Sequence, residues 1–123
     1  MKIIVADDQA NMRNYIKKLL NELGYENLLF AENGNEAFSL LESNVDTSVV
    51  LSDFKMPEFN GLELLKKIRA SEVKYIKNVH YISVTAEGDK TSILDILHAG
   101  ANGYLIKPFS KDQLQEKILE YQG

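Results

Sequence analysis

Polar side chains follow four apolar runs of the chain, each placed directly after its run ends. They are Asp7 and Asp8 after the first run, Asp53 after Ser48–Leu51, Thr85 after a later run, and Lys107 after the last. If these runs are parallel strands, their carboxyl ends lie at one edge of a sheet, where open α/β sheets bind their ligands. The spacing therefore predicts a pocket containing three carboxylates, a hydroxyl and an amine.

Three neighbouring carboxylates need a counter-charge. Two like charges about 4 Å apart cost roughly 4 kcal/mol at an effective dielectric near 20. Mg²⁺ relieves this repulsion well, because it prefers oxygen ligands and takes one or two carboxylates together with water and phosphate oxygens. Phosphoryl transfer requires groups that stabilise the charge on the phosphoryl oxygens. Here these groups would be a metal ion, the Lys107 amine, the Thr85 hydroxyl and the Ala86 amide. We therefore expect Asp53 to accept a phosphoryl group as an acyl phosphate, with Mg²⁺ as the cofactor.

The elements that position these side chains follow from apolar periodicity. Short apolar runs predict five strands, at Lys2–Ala6, Asn27–Ala31, Ser48–Asp53, Val79–Thr85 and Asn102–Ile106. Helical spacing predicts five helices, at Met12–Leu23, Ala37–Leu41, Leu62–Ile68, Ile93–Leu97 and Leu114–Tyr121. This alternation predicts an α/β fold, a five-stranded parallel sheet with helices on two faces. The expected strand order is 2-1-3-4-5, as in flavodoxin-like sheets.

Composition narrows the class of protein. The chain has 123 residues, a length typical of one domain spanning residues 1–123, and the last helix ends so near Gly123 that we expect no output domain. The net charge of −4 argues against nucleic-acid binding, and the absence of cysteine excludes disulfides and thiolate metal sites. The first apolar run is too short for a signal peptide or a membrane span, so we expect a cytoplasmic protein without membrane contact.

As a set, the motifs resemble the receiver domains of two-component response regulators over the full length of the chain. They are Asp7-Asp8, Asp53 before Met56-Pro57 and Asn60-Gly61, Thr85-Ala86, and Lys107-Pro108-Phe109. The segments Val84–Glu87 and Ala99–Tyr104 are most similar to those of stand-alone chemotaxis receivers. The resemblance implies that Asp53 is phosphorylated from the phosphohistidine of a histidine kinase.

The resemblance also implies roles for individual residues. Asp8, Asp53 and the carbonyl of Lys55 would bind Mg²⁺ directly, and Asp7 would bind it through water. Lys107 would contact the phosphoryl group, together with Thr85 and the Ala86 amide. Thr85 and Tyr104 would move together and change a partner-binding face on the fourth helix, fifth strand and fifth helix. That face is expected to contain Lys90, Ile93, Leu97 and Tyr104, and the Lys107–Pro108 peptide bond is expected to be cis.

Some positions leave alternatives open. Lys55 and Glu87 stand where this family tunes hydrolysis, and we expect them to pair across the mouth of the site and lengthen the life of the phosphoryl group. Tyr104 at a strand centre is also compatible with a core position, and Ile93 and Leu97 fit the core and the partner face equally. Asn60 is interpreted as a turn residue only.

The function that follows is a phosphorylation-controlled binding module, monomeric, and an enzyme only toward its own aspartyl phosphate. The resemblance implies a chemotaxis histidine kinase as donor and a flagellar motor switch protein as partner, with a phosphatase as a further candidate. A phosphorelay intermediate or a phosphate sink is the alternative. An aspartyl-phosphate phosphatase is less compatible, because it needs a second Asp where Lys55 stands. A flavin carrier is disfavoured by the two acids after the first strand.

Overall fold

A single parallel sheet forms the centre of the molecule. The computed structural model describes residues 1–86 and 90–121. Its strands are β1 (Lys2–Ala6), β2 (Leu28–Ala31), β3 (Thr47–Asp53), β4 (His80–Ala86) and β5 (Gly103–Lys107). All neighbouring strands are parallel, and their order is β2-β1-β3-β4-β5. The predicted fold class and strand order are therefore confirmed.

The described residues contain six helices, one more than the sequence predicted. They are α1 (Ala10–Glu22), α2 (Gly34–Ser43), α3 (Gly61–Arg69), α4 (Lys74–Lys77), α5 (Lys90–His98) and α6 (Lys111–Leu119). The prediction of five helices missed α4, which has only four residues and buries only Ile76. So short a segment has no apolar periodicity to detect. The predicted fourth and fifth helices correspond to α5 and α6.

The core lies on both faces of the sheet, because successive strand residues point to opposite sides. Ile4 of β1 packs in one cluster with Leu64 of α3, and Ile3 packs in the other with Leu20 of α1. This arrangement explains why the strands are apolar throughout rather than alternating. The helices cover both faces, as the sequence predicted.

Local signals set where the helices begin and end. Asn60 and Glu63 form a reciprocal capping box at the start of α3, so Asn60 caps a helix in addition to turning the chain. Ser110 and Gln113 form the same arrangement at the start of α6. Gly24, with a φ of +94°, follows α1 in the left-handed region that glycine tolerates. The caps at Asn60 and Ser110 fix the ends of the loops that follow β3 and β5, at the carboxyl edge of the sheet.

The register of the strands brings their ends together. Ala6 of β1 lies beside Ser52 of β3, and Asp53 lies beside Val84 of β4. Ala86 in turn lies beside Lys107 of β5. Residues that follow these positions therefore share one edge of the sheet. None of the helices in the described part of the chain is long and apolar enough to cross a membrane.

Candidate functional site

Three aspartates converge at the carboxyl edge of the sheet. Asp7 and Asp8 follow β1, and Asp53 is the last residue of β3. One carboxylate oxygen from each lies within 4.8 Å of the other two. Asp7 and Asp53 are buried, whereas Asp8 is exposed. We call Asp7, Asp8 and Asp53 the acidic cluster. Its oxygen donors could hold a metal ion, and the cluster is open to solvent at Asp8.

Lys107 is the cation of the site. Its Nζ lies 3.3 Å from Asp53 Oδ1 and 3.7 Å from Asp7 Oδ2. The Lys107 side chain is one-quarter exposed, while the Asp7 side chain is almost completely buried. One ammonium facing three carboxylates leaves an excess of negative charge whenever all three acids are ionised. The site is therefore electrostatically incomplete without a further cation or a bound proton.

Burial and mutual repulsion disfavour the charged forms of the two buried acids. Desolvation, followed by repulsion from Asp7, raises the pKa of Asp53 to about 6, although Lys107 opposes the change. Desolvation also raises the pKa of Asp7 above its usual value, against the hydrogen bond from the Gln9 amide. A divalent cation in the cluster would favour the ionised form of both groups.

Two buried polar atoms at the site lack a hydrogen-bond partner among the described residues. Within the part of the chain that the structure describes, Asp7 Oδ2 and Thr85 Oγ1 make no hydrogen bond. Thr85 is only 1% exposed and lies in β4, one residue before the end of the strand. Buried polar atoms are nearly always hydrogen-bonded in native proteins, so both atoms are candidates for contact with a group bound at this edge of the sheet.

The loop after β3 forms one wall of this cleft. The cleft as a whole is lined by Asp8, Gln9, Asp53, Phe54, Lys55, Ala86 and Lys107. Gly61 fixes the far end of the loop, because its N–H donates to the Phe54 carbonyl over 3.0 Å. A Cβ at Gly61 would lie 2.5 Å from the Asp53 carbonyl oxygen, so only glycine allows this close approach. The buried Tyr81 hydroxyl donates to the Gly61 carbonyl over 2.8 Å.

Most of the predicted site residues lie together. The structure brings Asp7, Asp8, Asp53 and Lys107 into one cleft, with Lys55 and Ala86 lining its walls and Thr85 buried in the adjacent strand. The predicted cis peptide bond between Lys107 and Pro108 is present. Glu87 lies outside the described residues, so its predicted pairing with Lys55 stays a prediction.

The predicted partner face lies on the surface of α5, β5 and α6. Lys90 is exposed, Ile93 is half-buried and Leu97 is 40% exposed. Leu97 therefore belongs to the surface, and Ile96 is the buried residue of α5 beside it. Tyr104 is half-buried and lines a surface groove, with its ring centroid 6.0 Å from Lys117 Nζ. The core interpretation is therefore wrong for Leu97, whereas Ile93 and Tyr104 are half-buried and both alternatives stay open for them.

Sequence reasoning missed the residues that hold the acidic cluster in place. An Nη1–H of Arg13 donates to the Asp7 carbonyl over 2.7 Å, and its Nη2 lies 3.5 Å from Glu32 Oε1. The Gln9 amide donates to Asp7 Oδ1 over 2.8 Å. Arg13 is the fourth residue of α1. The sequence alone does not tell which way its side chain points, because this depends on how the helix packs on the sheet. No motif signals it.

Sequence comparisons match this chain to a family and to individual known proteins. Residues 3–119 match the family described as the response regulator receiver domain. The chain is 46% identical to chemotaxis protein CheY1 of Helicobacter pylori strain J99, covering 96% of this chain and 94% of that protein. It is also 46% identical to the chemotaxis protein CheY homolog of Campylobacter jejuni strain 81-176, covering 100% and 93%.

Solved structures of other proteins have a similar fold. The fold is similar to the receiver domain protein of Clostridium thermocellum, with a TM-score of 0.87, 30% identity, and coverage of 98% of this chain and 92% of that one. It is also similar to chemotaxis protein CheY4 of Vibrio cholerae, with a TM-score of 0.87, 26% identity, and coverage of 98% of both chains.

Proposed function

Because this chain belongs to the response regulator receiver domain family, we propose that it receives a phosphoryl group on Asp53 and signals by binding a partner. One observation carries the proposal: the Asp53 carboxylate lies in the acidic cluster, 3.3 Å from Lys107 Nζ. A nucleophilic oxygen, a fixed cation and neighbouring oxygen ligands are what transfer of a phosphoryl group to a carboxylate requires.

In the proposed reaction, an Asp53 carboxylate oxygen attacks the phosphorus of a phosphohistidine. The new P–O bond forms as the P–N bond breaks, and the leaving imidazole nitrogen keeps the electron pair and takes a proton from solvent. The Lys107 ammonium and the Thr85 hydroxyl would each bind a phosphoryl oxygen, with the Ala86 amide as a further donor. The buried Thr85 hydroxyl supports this role, because it has no hydrogen-bond partner among residues 1–86 and 90–121.

The residues of the acidic cluster fit Mg²⁺. The donors are all oxygen, Asp7 Oδ2 has no hydrogen-bond partner within the described residues, and Lys107 is the one cation paired with the cluster there. Asp8, Asp53 and the Lys55 carbonyl would hold the ion directly, and Asp7 would hold it through water. When bound, Mg²⁺ neutralises charge on the phosphoryl oxygens in the transition state.

We further propose that phosphorylation changes the face formed by α5, β5 and α6. Thr85 would move toward the phosphoryl group, and Tyr104 would turn inward from its present half-buried position beside Lys117. Lys90, Ile93 and Leu97 would complete the binding face. Lys55, which is exposed at the cleft, would tune hydrolysis together with Glu87. The only reactions catalysed would be phosphorylation and dephosphorylation of the protein itself.

The relatives are named chemotaxis proteins, which supports a chemotaxis histidine kinase as donor and a flagellar motor switch protein as partner. The protein would interact with both the kinase and the motor switch protein in the cytoplasm. Binding of the beryllofluoride-treated protein to an immobilised motor-switch peptide tests this partner. Binding that is strengthened by beryllofluoride is expected; no binding in either state would favour a phosphorelay intermediate or a phosphate sink.

Intact-mass spectrometry after incubation with acetyl phosphate and Mg²⁺ tests the phosphoacceptor itself. We expect one phosphate adduct that is labile to hydroxylamine, because acyl phosphates react with this nucleophile. The Asp53→Asn variant should carry no adduct. An adduct that persists in Asp53→Asn would overturn the assignment.

A further inference from the structure

A side chain from α1 holds the loop that follows Lys107. The Tyr15 hydroxyl donates a hydrogen bond of 2.9 Å to the Phe109 carbonyl, across 94 positions of sequence. The two rings also pack against each other, with centroids 5.9 Å apart and planes tilted by 59°. Phe109 is 4% exposed and belongs to the core, whereas Tyr15 is 41% exposed. Tyr15 therefore lies over the loop from outside.

The loop is also held at its two ends and by the buried Phe109 ring. Lys107 is paired with Ala86 in the sheet, and Ser110 begins α6 through its capping box with Gln113. Between them, the Phe109 carbonyl precedes the Ser110 cap, whose own carbonyl accepts a hydrogen bond from the Leu114 N–H of α6. The Tyr15 hydroxyl is the group that binds the Phe109 carbonyl.

Tyr15 is also close in sequence to two residues of the acidic cluster, Asp7 and Asp8. It lies in the second turn of α1, which begins at Ala10, directly after the Asp7-Asp8-Gln9 loop. The hydrogen bond to Phe109 thus joins the helix that follows two of the acids to the loop that follows the cation. That loop begins directly after Lys107, whose Nζ lies 3.3 Å from Asp53 Oδ1.

We propose that Tyr15 is a positioning residue, which sets Lys107 against the carboxylates of Asp7 and Asp53 by binding the Phe109 carbonyl. The inference rests on the proposed function. It concerns Lys107, which directly precedes the β5–α6 loop, and not the proposed metal ligands, which lie directly after β1, at the end of β3 and in the loop after β3. Loss of the Tyr15 hydroxyl should therefore slow phosphoryl transfer while Mg²⁺ affinity stays the same.

The chain offers a matched control. The Tyr25 hydroxyl also joins the α1 side of the molecule to α6, through a 2.9 Å hydrogen bond to Gln115 Oε1. Gln115 lies within α6, beyond the capping box, and neither residue lines the cleft. Tyr15→Phe and Tyr25→Phe each remove one hydroxyl and keep the ring. A general loss of stability would affect both variants, whereas a positioning role affects only Tyr15→Phe.

The experiment compares wild type, Tyr15→Phe and Tyr25→Phe in three assays. They are the rate of phosphorylation by acetyl phosphate, calorimetric titration with Mg²⁺, and amide hydrogen exchange of the segment 105–110. Tyr15→Phe should phosphorylate about 3- to 10-fold more slowly, the range expected for one hydrogen bond. Its 105–110 segment should exchange faster, its Mg²⁺ affinity should match wild type, and Tyr25→Phe should match wild type in all three assays.

Equal phosphorylation rates in Tyr15→Phe and wild type would overturn the inference, as would equal slowing in the two variants. A loss of Mg²⁺ affinity in Tyr15→Phe would also contradict it, because the effect would then reach the metal ligands. If wild type itself takes no phosphoryl group, the proposed function fails. Hydrogen exchange then decides separately whether the Tyr15 hydroxyl restrains the loop, and unchanged exchange would remove this inference as well.

Discussion

Replacing Asp53 by Asn should stabilise the metal-free protein at neutral and alkaline pH. The pKa of Asp53 is raised from 3.8 to about 6 in the folded state, chiefly by burial and by Asp7. The folded protein therefore binds this proton more tightly than the unfolded chain does, and the free energy of unfolding falls as pH rises between these two values. Above the folded pKa, the cost of keeping Asp53 ionised in the fold is fully present.

The size of this cost follows from the two pKa values. A difference from 3.8 to about 6 corresponds to about 3 kcal/mol, at about 1.4 kcal/mol for each pH unit. Asp53→Asn removes the cost, so its free energy of unfolding should exceed that of wild type by up to about 3 kcal/mol near pH 8. Near pH 5 the advantage should shrink to roughly half, because Asp53 of the folded wild type is then mostly protonated while that of the unfolded chain is mostly ionised.

Urea denaturation followed by circular dichroism, with EDTA present, measures the effect. Asp46→Asn is the matched control, because the hydrogen bond from Lys2 lowers the pKa of Asp46. Removing the charge of Asp46 should therefore give no gain in the free energy of unfolding. Added Mg²⁺ should stabilise wild type and leave Asp53→Asn nearly unchanged. The reasoning is refuted if Asp53→Asn is no more stable than wild type near pH 8, or if its advantage is independent of pH.

Three further predictions concern the same edge of the sheet. Gly34→Ala should lower the free energy of unfolding by about 1–3 kcal/mol in thermal denaturation, because a Cβ there would lie 2.5 Å from the Phe59 carbonyl oxygen. Glu58→Gly should raise it by roughly 0.5–1 kcal/mol, since Glu58 has a φ of +67°, and an unchanged melting temperature would contradict this. Mg²⁺ should raise the melting temperature of wild type with concentration, and Asp8→Asn should lose most of that rise.

The strands and the acidic cluster were predictable because their signals are local. An apolar run that ends in a polar residue marks both a buried parallel strand and its functional edge, as Asp53 and Lys107 do. The Asn60-x-x-Glu63 capping box is equally visible in the sequence, because a side-chain acceptor stands three residues before a Glu and an apolar helix follows. Such features need no knowledge of what lies across the sheet.

Other features depend on contacts that sequence spacing does not encode. Tyr15 and Phe109 are 94 positions apart, and only the packing of α1 brings the hydroxyl to the carbonyl. Leu97 follows helical spacing but faces outward, because Ile96 takes the buried position on α5. The left-handed conformation of Glu58 also has no sequence signal, since this region usually favours glycine or asparagine.

The central claim is that Asp53, and neither of its acidic neighbours, becomes the acyl phosphate with the help of Mg²⁺. The direct test treats the wild-type protein with acetyl phosphate, reduces it with borohydride, and maps the product by peptide mass spectrometry. Reduction of an aspartyl phosphate leaves homoserine at the modified position. We predict homoserine at position 53 alone, and only when Mg²⁺ was present. Homoserine at Asp7 or Asp8, or labelling of Asp53 that is unaffected by EDTA, would contradict the account.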